Sequence, residues 1–417
     1  MHTTHHPVDV LVVGAGLAGL ACARDLAAEG RTVSIVEASD AAGGRMRTDR
    51  RDGFLLDRGF QVFNTSYPQV RRRLDLRALR LHPFTPGLLV HRDGGLVRVV
   101  DPSRRPREAG ALRPGRLAPA RDLLALGRLT AADTLLPAPL LKRRPERTTR
   151  TALAEAGVSE HTVDTLLRPF LSGVFLEDGL ETSSRVFHLV WRSLVRGSLC
   201  LPAEGIGSVP AQLARALPPG TVRYGAPVAR LTPDGALLDG GGELTARAVV
   251  VATGPREAAR LLDGLDVPGT RTVTTYYHTA DAPPLDEPTL LVDAEGRFLN
   301  SCVLSRVVPG YAPRGVPLVS TSVLGGDRPG REGQVRGALS EAYGADTGRW
   351  ELLAACTVED ALPAMPPPWP LSRGTRVSPG RYVCGDHRAT GSVQGALASG
   401  ARAAREVLAD LSRGGTA

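Results

Sequence analysis

The sequence predicts a mixed α/β fold, in which one domain is built on a parallel sheet and a second on an antiparallel sheet plus helices. A short apolar run, Val8 to Val13, indicates the first strand, and a glycine-rich turn and a helical segment, Leu20 to Glu29, follow at once. Thr32 to Val36 is a second buried strand, so these segments form one βαβ unit. Two similar runs, Ala248 to Ala252 and Tyr382 to Cys384, spread the parallel sheet over three distant parts of the chain.

The segments between these strands have a different character. Thr151 to Arg196 has a helical pattern, and Arg271 to Leu324 contains β-rich runs separated by turn residues. Pro68 to Arg150 is rich in arginine, leucine and proline, and we predict helices and loops there. A chain of 417 residues holds two or three domains of ordinary size. We predict two interleaved domains, the first from residues 7–64, 199–265 and 371–417, the second from residues 65–198 and 266–370.

A GxGxxG motif lies between the first strand and the first helix. Gly14 permits the tight turn, Gly16 lets the backbone approach a pyrophosphate, and Gly19 lets the helix pack closely on the strand. The pyrophosphate would lie at the helix N-terminus, where free N–H groups and the helix dipole favour an anion. Glu37 ends the second strand, where its carboxylate can accept hydrogen bonds from ribose hydroxyls and would repel a 2′-phosphate. The motif in this setting predicts a Rossmann-like domain that binds a dinucleotide other than NADP.

Further motifs narrow the choice of dinucleotide. Gly43-Gly44-Arg45 follows Glu37, and Asp57-Arg58-Gly59 follows a short hairpin-like stretch. The C-terminal region contains Gly385-Asp386, then Gly391-Ser392-Val393-Gln394-Gly395-Ala396 and Ser399-Gly400. This combination resembles the superfamily of FAD-dependent amine oxidases, phytoene desaturases and protoporphyrinogen oxidases. The resemblance implies FAD as the cofactor, bound non-covalently because the cysteine linkage of some members is not evident here.

The resemblance also implies a role for individual residues. Arg45 would lie against the FAD phosphates or the flavin edge, and Asp386 would reach the ribityl or pyrophosphate region. The backbone of Val228 would meet the adenine. The helix that starts near Ser392 would direct its N-terminus at the pyrimidine end of the flavin, where reduced flavin carries negative charge. The predicted cofactor-binding residues are Gly14, Ala15, Gly16, Gly19, Glu37, Ala38, Gly44, Arg45, Gly59, Val228, Gly385, Asp386, Ser392 and Val393.

Two departures from the superfamily pattern bear on the substrate. Many of its amine oxidases place a lysine near flavin N5, but the single lysine of this chain is Lys142, far from the expected position. The C-terminal aromatic residue that flanks the flavin in those enzymes would fall at Ser392. In contrast, Arg168 to Leu176 and Leu201 to Pro210 resemble phytoene-desaturase-like proteins. We therefore predict an FAD-dependent oxidoreductase that dehydrogenates an apolar, isoprenoid-like small molecule by hydride transfer to flavin N5.

Three other functions remain open at this stage. The first is oxidation of an amine or a related heteroatom substrate by flavin. The second is isomerisation of an apolar substrate without net redox change. The third is a non-enzymatic protein that binds prenylated partners and has lost FAD, which the intact motifs, Glu37 and Arg45 among them, disfavour. The catalytic residues are not assigned by the sequence, and the candidates are Tyr276 and His278 in a β-rich run and His387 beside Asp386.

Charge and cysteine content limit the partners. The net charge is +8, and residues 71–150 contain 19 basic and 7 acidic residues. A solvated helical surface is the ordinary explanation, and docking on anionic lipid is the functional one. No basic motif interleaved with aromatic residues appears, so we expect no nucleic acid partner. The five cysteines are scattered without a CxxC pair, so we expect no metal site. The sequence has no signal-peptide pattern, which predicts a cytoplasmic protein. The basic region 71–150 leaves peripheral contact with a membrane open as an option.

Overall fold

The structure, a computed structural model, describes residues 8–102, 104–112 and 117–413. Its strands β1 to β20 are, in chain order, Val8–Val13, Val33–Val36, Thr48–Arg51, Phe54–Asp57, Phe63–Asn64, Leu81–Pro83, Gly87–Arg92, Gly95–Val100, Leu199–Pro202, Val222–Arg223, Val228–Thr232, Gly235–Leu238, Glu243–Val251, Thr270–Thr279, Leu291–Asp293, Asn300–Val303, Leu318–Leu324, Glu351–Pro363, Arg376–Ser378 and Arg381–Val383.

The α-helices, α1 to α13, are Leu17–Ala28, Pro68–Arg73, Ala120–Leu135, Ala138–Leu141, Thr149–Glu155, Glu160–Thr162, Arg168–Phe175, Ser184–Arg196, Ser208–Arg215, Pro255–Leu261, Leu304–Val307, Arg331–Tyr343 and Val393–Arg413. Short 3₁₀ turns cover Pro106–Leu112, Pro309–Tyr311 and Asp386–Arg388, and Val163–Leu167 is a π-helical turn.

The first sheet has a parallel centre. Strands β10, β2, β1, β13 and β20 run parallel, with Val10 opposite both Val33 and Ala248. Strand β13 extends beyond this centre and pairs antiparallel with β12, which in turn pairs antiparallel with β11. Helices α1 and α13 cover one face, on the side of Val12 and Val250. They pack so closely that a Cβ at Gly400 would lie 2.1 Å from the carbonyl oxygen of Ala18, which explains the small residues here.

The second sheet has seven strands in the order β18-β14-β17-β16-β15-β7-β8. Its pairs are antiparallel except for β15 and β7. One face packs against α12, with Tyr276 and Leu339 in the shared core. The opposite face packs against the hairpin β3–β4, with Tyr277 and Leu55 in the shared core. Mixed α/β architecture with a parallel and an antiparallel sheet confirms the predicted fold class.

The prediction for residues 68–150 is wrong in part. We expected helices and loops, but β7 and β8 form a hairpin that joins the second sheet. The turn residues Asp93 and Gly94 both have positive φ, 51° and 70°. An Asp-Gly pair between two apolar runs is a strong hairpin signal, because both residues tolerate that conformation. The prediction of helices and loops rested on the arginine-rich composition of the segment and overlooked this pair.

The strands of the two large sheets come from different segments of the chain. Every strand of the first sheet lies within residues 8–64, 199–265 or 371–413, and every strand of the second lies outside them. The small sheet β5-β9-β6 crosses this division, since β9 pairs with β6 from the other segment. The domain boundaries therefore stay a prediction, and its terminal residues, 7 and 414–417, lie outside the described residues, as do residues 103 and 113–116 within it.

Candidate functional site: a nucleotide cradle at the edge of the parallel sheet

The glycine-rich loop connects β1 to α1 as the motif predicts. Gly14 has a φ of 105°, a conformation that favours glycine. A Cβ at Gly19 would lie 2.1 Å from the carbonyl oxygen of Gly14, so α1 can approach the turn only without a side chain there. Gly16 is the N-cap of α1, and a Cβ on it would meet no atom within 4 Å. The space beside Gly16 is therefore open, next to the free N–H groups of the first helical turn.

Glu37 lies against this loop. Its Oε2 accepts a hydrogen bond from the backbone N–H of Ala15 at 2.7 Å, and its Oε1 accepts from the backbone N–H of Ser39 at 3.0 Å. These bonds hold the carboxylate at the end of β2, beside the loop. Ala38 is exposed next to it. The arrangement agrees with a carboxylate positioned to meet a ribose bound along the loop.

The GGR loop touches the glycine-rich loop. The backbone N–H of Gly43 donates to the carbonyl oxygen of Ala15 at 2.9 Å, and a Cβ on Gly44 would lie 3.6 Å from Cα of Gly16. Arg45 then extends to the C-terminal part of the chain. Its Nη2 lies 2.6 Å from Oδ1 of Asp386, and its Nη1 donates to the carbonyl oxygen of Ala361 at 2.9 Å. Four sequence motifs thus meet at one end of the parallel sheet.

Asp386 and His387 are both buried beside this junction. Asp386 is 4% exposed and paired with Arg45. His387 is 1% exposed, and neither of its ring nitrogens has a hydrogen-bond partner among the described residues. Burial lowers the pKa of His387 to about 4, so the ring is neutral at pH 7. Gly385 is required before them, because a Cβ there would lie 2.5 Å from the His387 ring.

Helix α13 begins beside the same junction. The Oγ of Ser392 accepts a hydrogen bond from the backbone N–H of Gly395 at 3.0 Å, and Val393 is the first helical residue. Gly391 packs against apolar residues, since a Cβ on it would lie 3.0 to 3.1 Å from atoms of Leu362, Pro363 and Met365. The N-terminus of α13 therefore faces an apolar wall made by the end of β18.

Two other predicted residues lie at the margins of this region. Val228 is in β11, and its carbonyl oxygen accepts a hydrogen bond from Nη2 of Arg260 at 2.7 Å. The segment before it lies beside Glu37, to whose carbonyl oxygen the N–H of Ala226 donates at 2.9 Å. Gly59 has a φ of 80°, and a Cβ on it would lie 3.3 Å from the Val358 side chain.

Tyr276 and His278 lie on the far side of the second sheet. The hydroxyl of Tyr276 donates to Asp327, and Nε2 of His278 lies 2.9 Å from Oε1 of Glu332 at the start of α12. Burial lowers the pKa of His278, and Glu332 opposes this. The neighbouring residue Tyr277 is the one that points toward the first domain. Alternation along β14 turns Tyr276 and His278 away from the cradle, so neither lies where the predicted catalytic role would place it.

Sequence reasoning missed the polar cluster around Asp57. Its carboxylate accepts hydrogen bonds from the Thr48 hydroxyl, from the backbone N–H of Ile206 at 3.0 Å and from the Tyr311 hydroxyl at 3.3 Å. Asp57 is 4% exposed, and burial raises its pKa to about 6. The cluster fastens the Leu201–Pro210 segment, which the sequence singled out, to the hairpin beside the GGR loop. Only the long-range partners reveal it, so no local signal was available.

Two kinds of feature, a cluster of metal ligands and a helix able to span a bilayer, are absent from the described residues. No group of three or more histidine, cysteine or acidic residues is arranged to hold a metal ion there. None of the helices in the described ranges combines the length and apolarity that crossing a bilayer requires. The single lysine, Lys142, is exposed directly after α4.

These residues fit an extended anionic dinucleotide. The open space beside Gly16, the free N–H groups of α1 and the unpartnered nitrogens of His387 are all groups that a bound ligand would satisfy. Arg45 and Glu37 add a cation and a hydrogen-bond acceptor on either side of that space.

Parts of the chain are similar in sequence to known oxidases. Over short regions the chain is 40% identical, across 78 residues, to coproporphyrinogen III oxidase of Propionibacterium freudenreichii and 38% identical, across 82 residues, to L-amino-acid oxidase of Crotalus adamanteus. These matches cover 19% and 20% of this chain and 15% and 16% of those relatives.

The fold is similar over nearly the whole chain to solved structures. Cyclohexylamine oxidase from Brevibacterium oxydans aligns with a TM-score of 0.73 and 18% identity, over 98% of this chain and 100% of that one. An oxidoreductase from Methanosarcina mazei aligns with a TM-score of 0.69 and 17% identity, over 96% and 100%. The family model for flavin containing amine oxidoreductases matches residues 17–408. The chain therefore belongs to the flavin containing amine oxidoreductase family, and it is a flavin-dependent oxidoreductase whose cofactor is FAD.

Proposed function

We propose that FAD binds non-covalently across the cradle, with its pyrophosphate beside Gly16 and its ribose at Glu37. Arg45 and Asp386 then bind the central part of the cofactor, and the N-terminus of α13 stabilises negative charge on the flavin. His387 supplies a neutral ring with two unpartnered nitrogens at the same place. The remaining predicted residues, Ala15, Ala38, Gly44, Gly59, Val228, Gly385 and Val393, contribute backbone or line the cradle. A cytoplasmic location stays a prediction.

We propose further that the enzyme dehydrogenates an apolar, isoprenoid-like small molecule. The observation that carries this proposal is the apolar wall beside α13. Leu362 and Met365 belong to a cluster that includes Leu171 of α7, and Phe170 packs against it. The acidic residues of this part of β18, Glu359 and Asp360, are both paired with Arg256. Bound flavin supplies a hydride acceptor, and the residues of the wall orient a substrate and exclude water.

Each buried CH₂ contributes about 0.8 kcal/mol to substrate binding, so an apolar wall holds an isoprenoid chain with few polar contacts. The phytoene-desaturase-like segment, Arg168 to Leu176, forms α7 and its flanks and belongs to this wall. The absence of lysine other than Lys142 is also consistent with a hydrocarbon substrate, because the lysine beside flavin N5 is a feature of amine oxidation in the superfamily.

Amine oxidation is the second candidate. Relatives and structural neighbours named L-amino-acid oxidase, cyclohexylamine oxidase and putrescine oxidase favour it. Membership of an oxidoreductase family removes support for the non-enzymatic prenyl-binding alternative. Isomerisation without net redox change differs from both, because it leaves the oxidation state of the flavin unchanged.

The test is anaerobic flavin bleaching by single substrates. Purified protein should show a flavin spectrum, and heating should release FAD into the supernatant. An acyclic isoprenoid hydrocarbon in detergent should bleach the flavin and yield a product with one more double bond, whereas primary amines should not. Bleaching by amines alone would establish the second candidate. A rearranged isoprenoid formed only by pre-reduced enzyme would indicate the isomerase.

Reversal of the charge at Glu37 should weaken FAD binding. Glu37→Arg replaces a ribose acceptor with a cation and breaks the bonds to Ala15 and Ser39, so we expect flavin content to fall at least about tenfold, equivalent to roughly 1.4 kcal/mol. The measurement is the ratio of flavin to protein absorbance after gel filtration. Glu29→Arg is the matched control, because Glu29 is exposed at the other end of α1 and should leave the ratio unchanged. Unaltered flavin in Glu37→Arg would disprove the ribose role.

A further inference from the structure

The basic region of residues 71–150 divides into two parts in the structure. Nine of its arginines are paired with carboxylates among the described residues, and several of these partners lie in other segments. The pairs are Arg73–Asp25, Arg80–Glu204, Arg98–Glu287, Arg104–Asp101, Arg105–Glu108, Arg121–Asp122, Arg144–Asp133, Arg147–Glu155 and Arg150–Asp164. These arginines serve internal structure. Seven cations of the region have no ion-pair partner among the described residues. Four of them, Arg71, Arg72, Arg77 and Arg107, lie away from α3 and α4, whereas Arg128 lies in α3 and Lys142 and Arg143 directly follow α4.

Helix α3 is anchored on one side only. Nε1 of Trp191 donates to Oγ1 of Thr130 at 3.0 Å, and Nη1 of Arg192 donates to the carbonyl oxygen of Asp133 at 2.6 Å, both from α8. Leu129 is buried on the same side. Because α8 holds α3 on this side, the opposite side of α3 faces solvent.

That outward side carries leucines and cations. Leu124, Arg128 and Leu135 are spaced by four and seven residues, so they share one helix face. Leu124 is 56% exposed and Leu135 is 80% exposed. The following turn adds Leu140, 49% exposed, and then Lys142 and Arg143, which are both exposed. Arg128, Lys142 and Arg143 have no ion-pair partner among the described residues.

Acidic groups are withdrawn from this face. The two acidic residues of α3, Asp122 and Asp133, are fully buried. Asp122 accepts hydrogen bonds from Ser159 and Thr162, and Asp133 is 2.7 Å from Nδ1 of His188. The exposed side of residues 120–143 therefore presents protruding leucines and unpaired positive charge with no exposed carboxylate to offset it.

We infer that this α3–α4 face docks on the surface of an anionic lipid bilayer. The exposed leucines would enter the boundary between the lipid headgroups and the acyl chains. The three cations would contact lipid phosphates and carboxylates. Helix α3 is 16 residues long and lies along the surface of the protein, which suits interfacial binding and not insertion across the bilayer. The inference does not depend on which substrate the enzyme uses.

Vesicle co-sedimentation of the full chain with bound FAD tests the inference. The protein should pellet with phosphatidylcholine vesicles that contain phosphatidylserine, pellet weakly with phosphatidylcholine alone, and be released by high salt. Arg128→Gln/Lys142→Gln/Arg143→Gln should lower the partition coefficient by roughly 100-fold, at about fivefold per cation. Leu124→Ser/Leu135→Ser should lower it by at least about tenfold.

The matched control is Arg80→Gln/Arg147→Gln. Both residues belong to the same basic region and are 64% and 48% exposed at the side chain, but both are paired. This control should bind within about twofold of the unmodified protein, since paired charges contribute little to the surface field. Flavin content and thermal midpoint report whether each variant folds. Failure of the unmodified protein to bind anionic vesicles overturns the inference. An equal loss in the control overturns it too, as does a leucine variant that binds anionic vesicles as well as the unmodified protein.

Discussion

Gly16→Ala is expected to give a folded protein that has lost FAD. A Cβ on Gly16 meets no protein atom within 4 Å, so the fold has no reason to change. The same Cβ occupies the space in which the pyrophosphate would approach the backbone and α1 N–H groups. Loss of two hydrogen bonds to a charged group, about 1.5 kcal/mol each, corresponds to roughly 100-fold weaker binding. The measurements are flavin titration by fluorescence and, for the fold, circular dichroism with thermal unfolding.

The chain offers a closely matched control in Gly254. Like Gly16, it is the N-cap of a helix that follows a strand of the first sheet, and its φ and ψ, −62° and 163°, resemble −72° and 175° at Gly16. A Cβ on Gly254 also meets nothing within 4 Å. Gly254→Ala should therefore bind FAD normally. Gly19→Ala should instead unfold or fail to express, because its Cβ would collide with the Gly14 carbonyl. If Gly16→Ala bound FAD as tightly as Gly254→Ala, the pyrophosphate would not lie there.

The parts of the molecule that local sequence specifies were predictable. Glycine spacing, an apolar strand and a carboxylate at the end of the next strand are contiguous, so the β1–α1–β2 unit follows from residues 8–37. The C-terminal helix, expected to start near Ser392, occurs at Val393–Arg413. Family resemblance implied that Arg45 and Asp386 each contact the cofactor, but the ion pair between these residues, 341 positions apart, was not predicted.

Features that arise from packing between distant segments were not predictable. Alternation places Tyr276 and His278 on one face of β14, but it does not state which face meets α12. The buried environment of Asp57 needs Ile206 and Tyr311, which are 149 and 254 residues away. The sequence therefore identified Asp57 only as part of a D-x-G element, whereas in the structure its carboxylate is a buried titratable group.

Burial of Asp57 makes the free energy of unfolding depend on pH. The pKa of Asp57 is about 6 in the folded protein, against 3.8 for the unperturbed group, because burial disfavours the charged form more than its hydrogen bonds favour it. Between these two values the folded state binds more protons than the unfolded state. The free energy of unfolding contributed by Asp57 is therefore fully present below pH 4, falls as the pH rises to 6, and is lost above that.

Asp57→Asn removes this titration while preserving shape and most hydrogen bonds. Two pKa units correspond to about 3 kcal/mol, so the unmodified protein should lose roughly that much stability relative to Asp57→Asn between pH 4 and pH 7. Urea unfolding with excess FAD at several pH values measures the difference in the free energy of unfolding between the two proteins. The contributions of all other carboxylates are the same in both proteins and cancel in this difference. Asp293→Asn gives the opposite sign and a lower pH window. Arg297 and His91 outweigh burial and lower the pKa of Asp293 below 3.8, so the unmodified protein gains stability relative to this variant as the pH rises toward 4, and the difference stays constant above that. A pH-independent difference for Asp57→Asn would mean that its carboxylate is solvated, and that the hairpin is not sealed against residues 205–207.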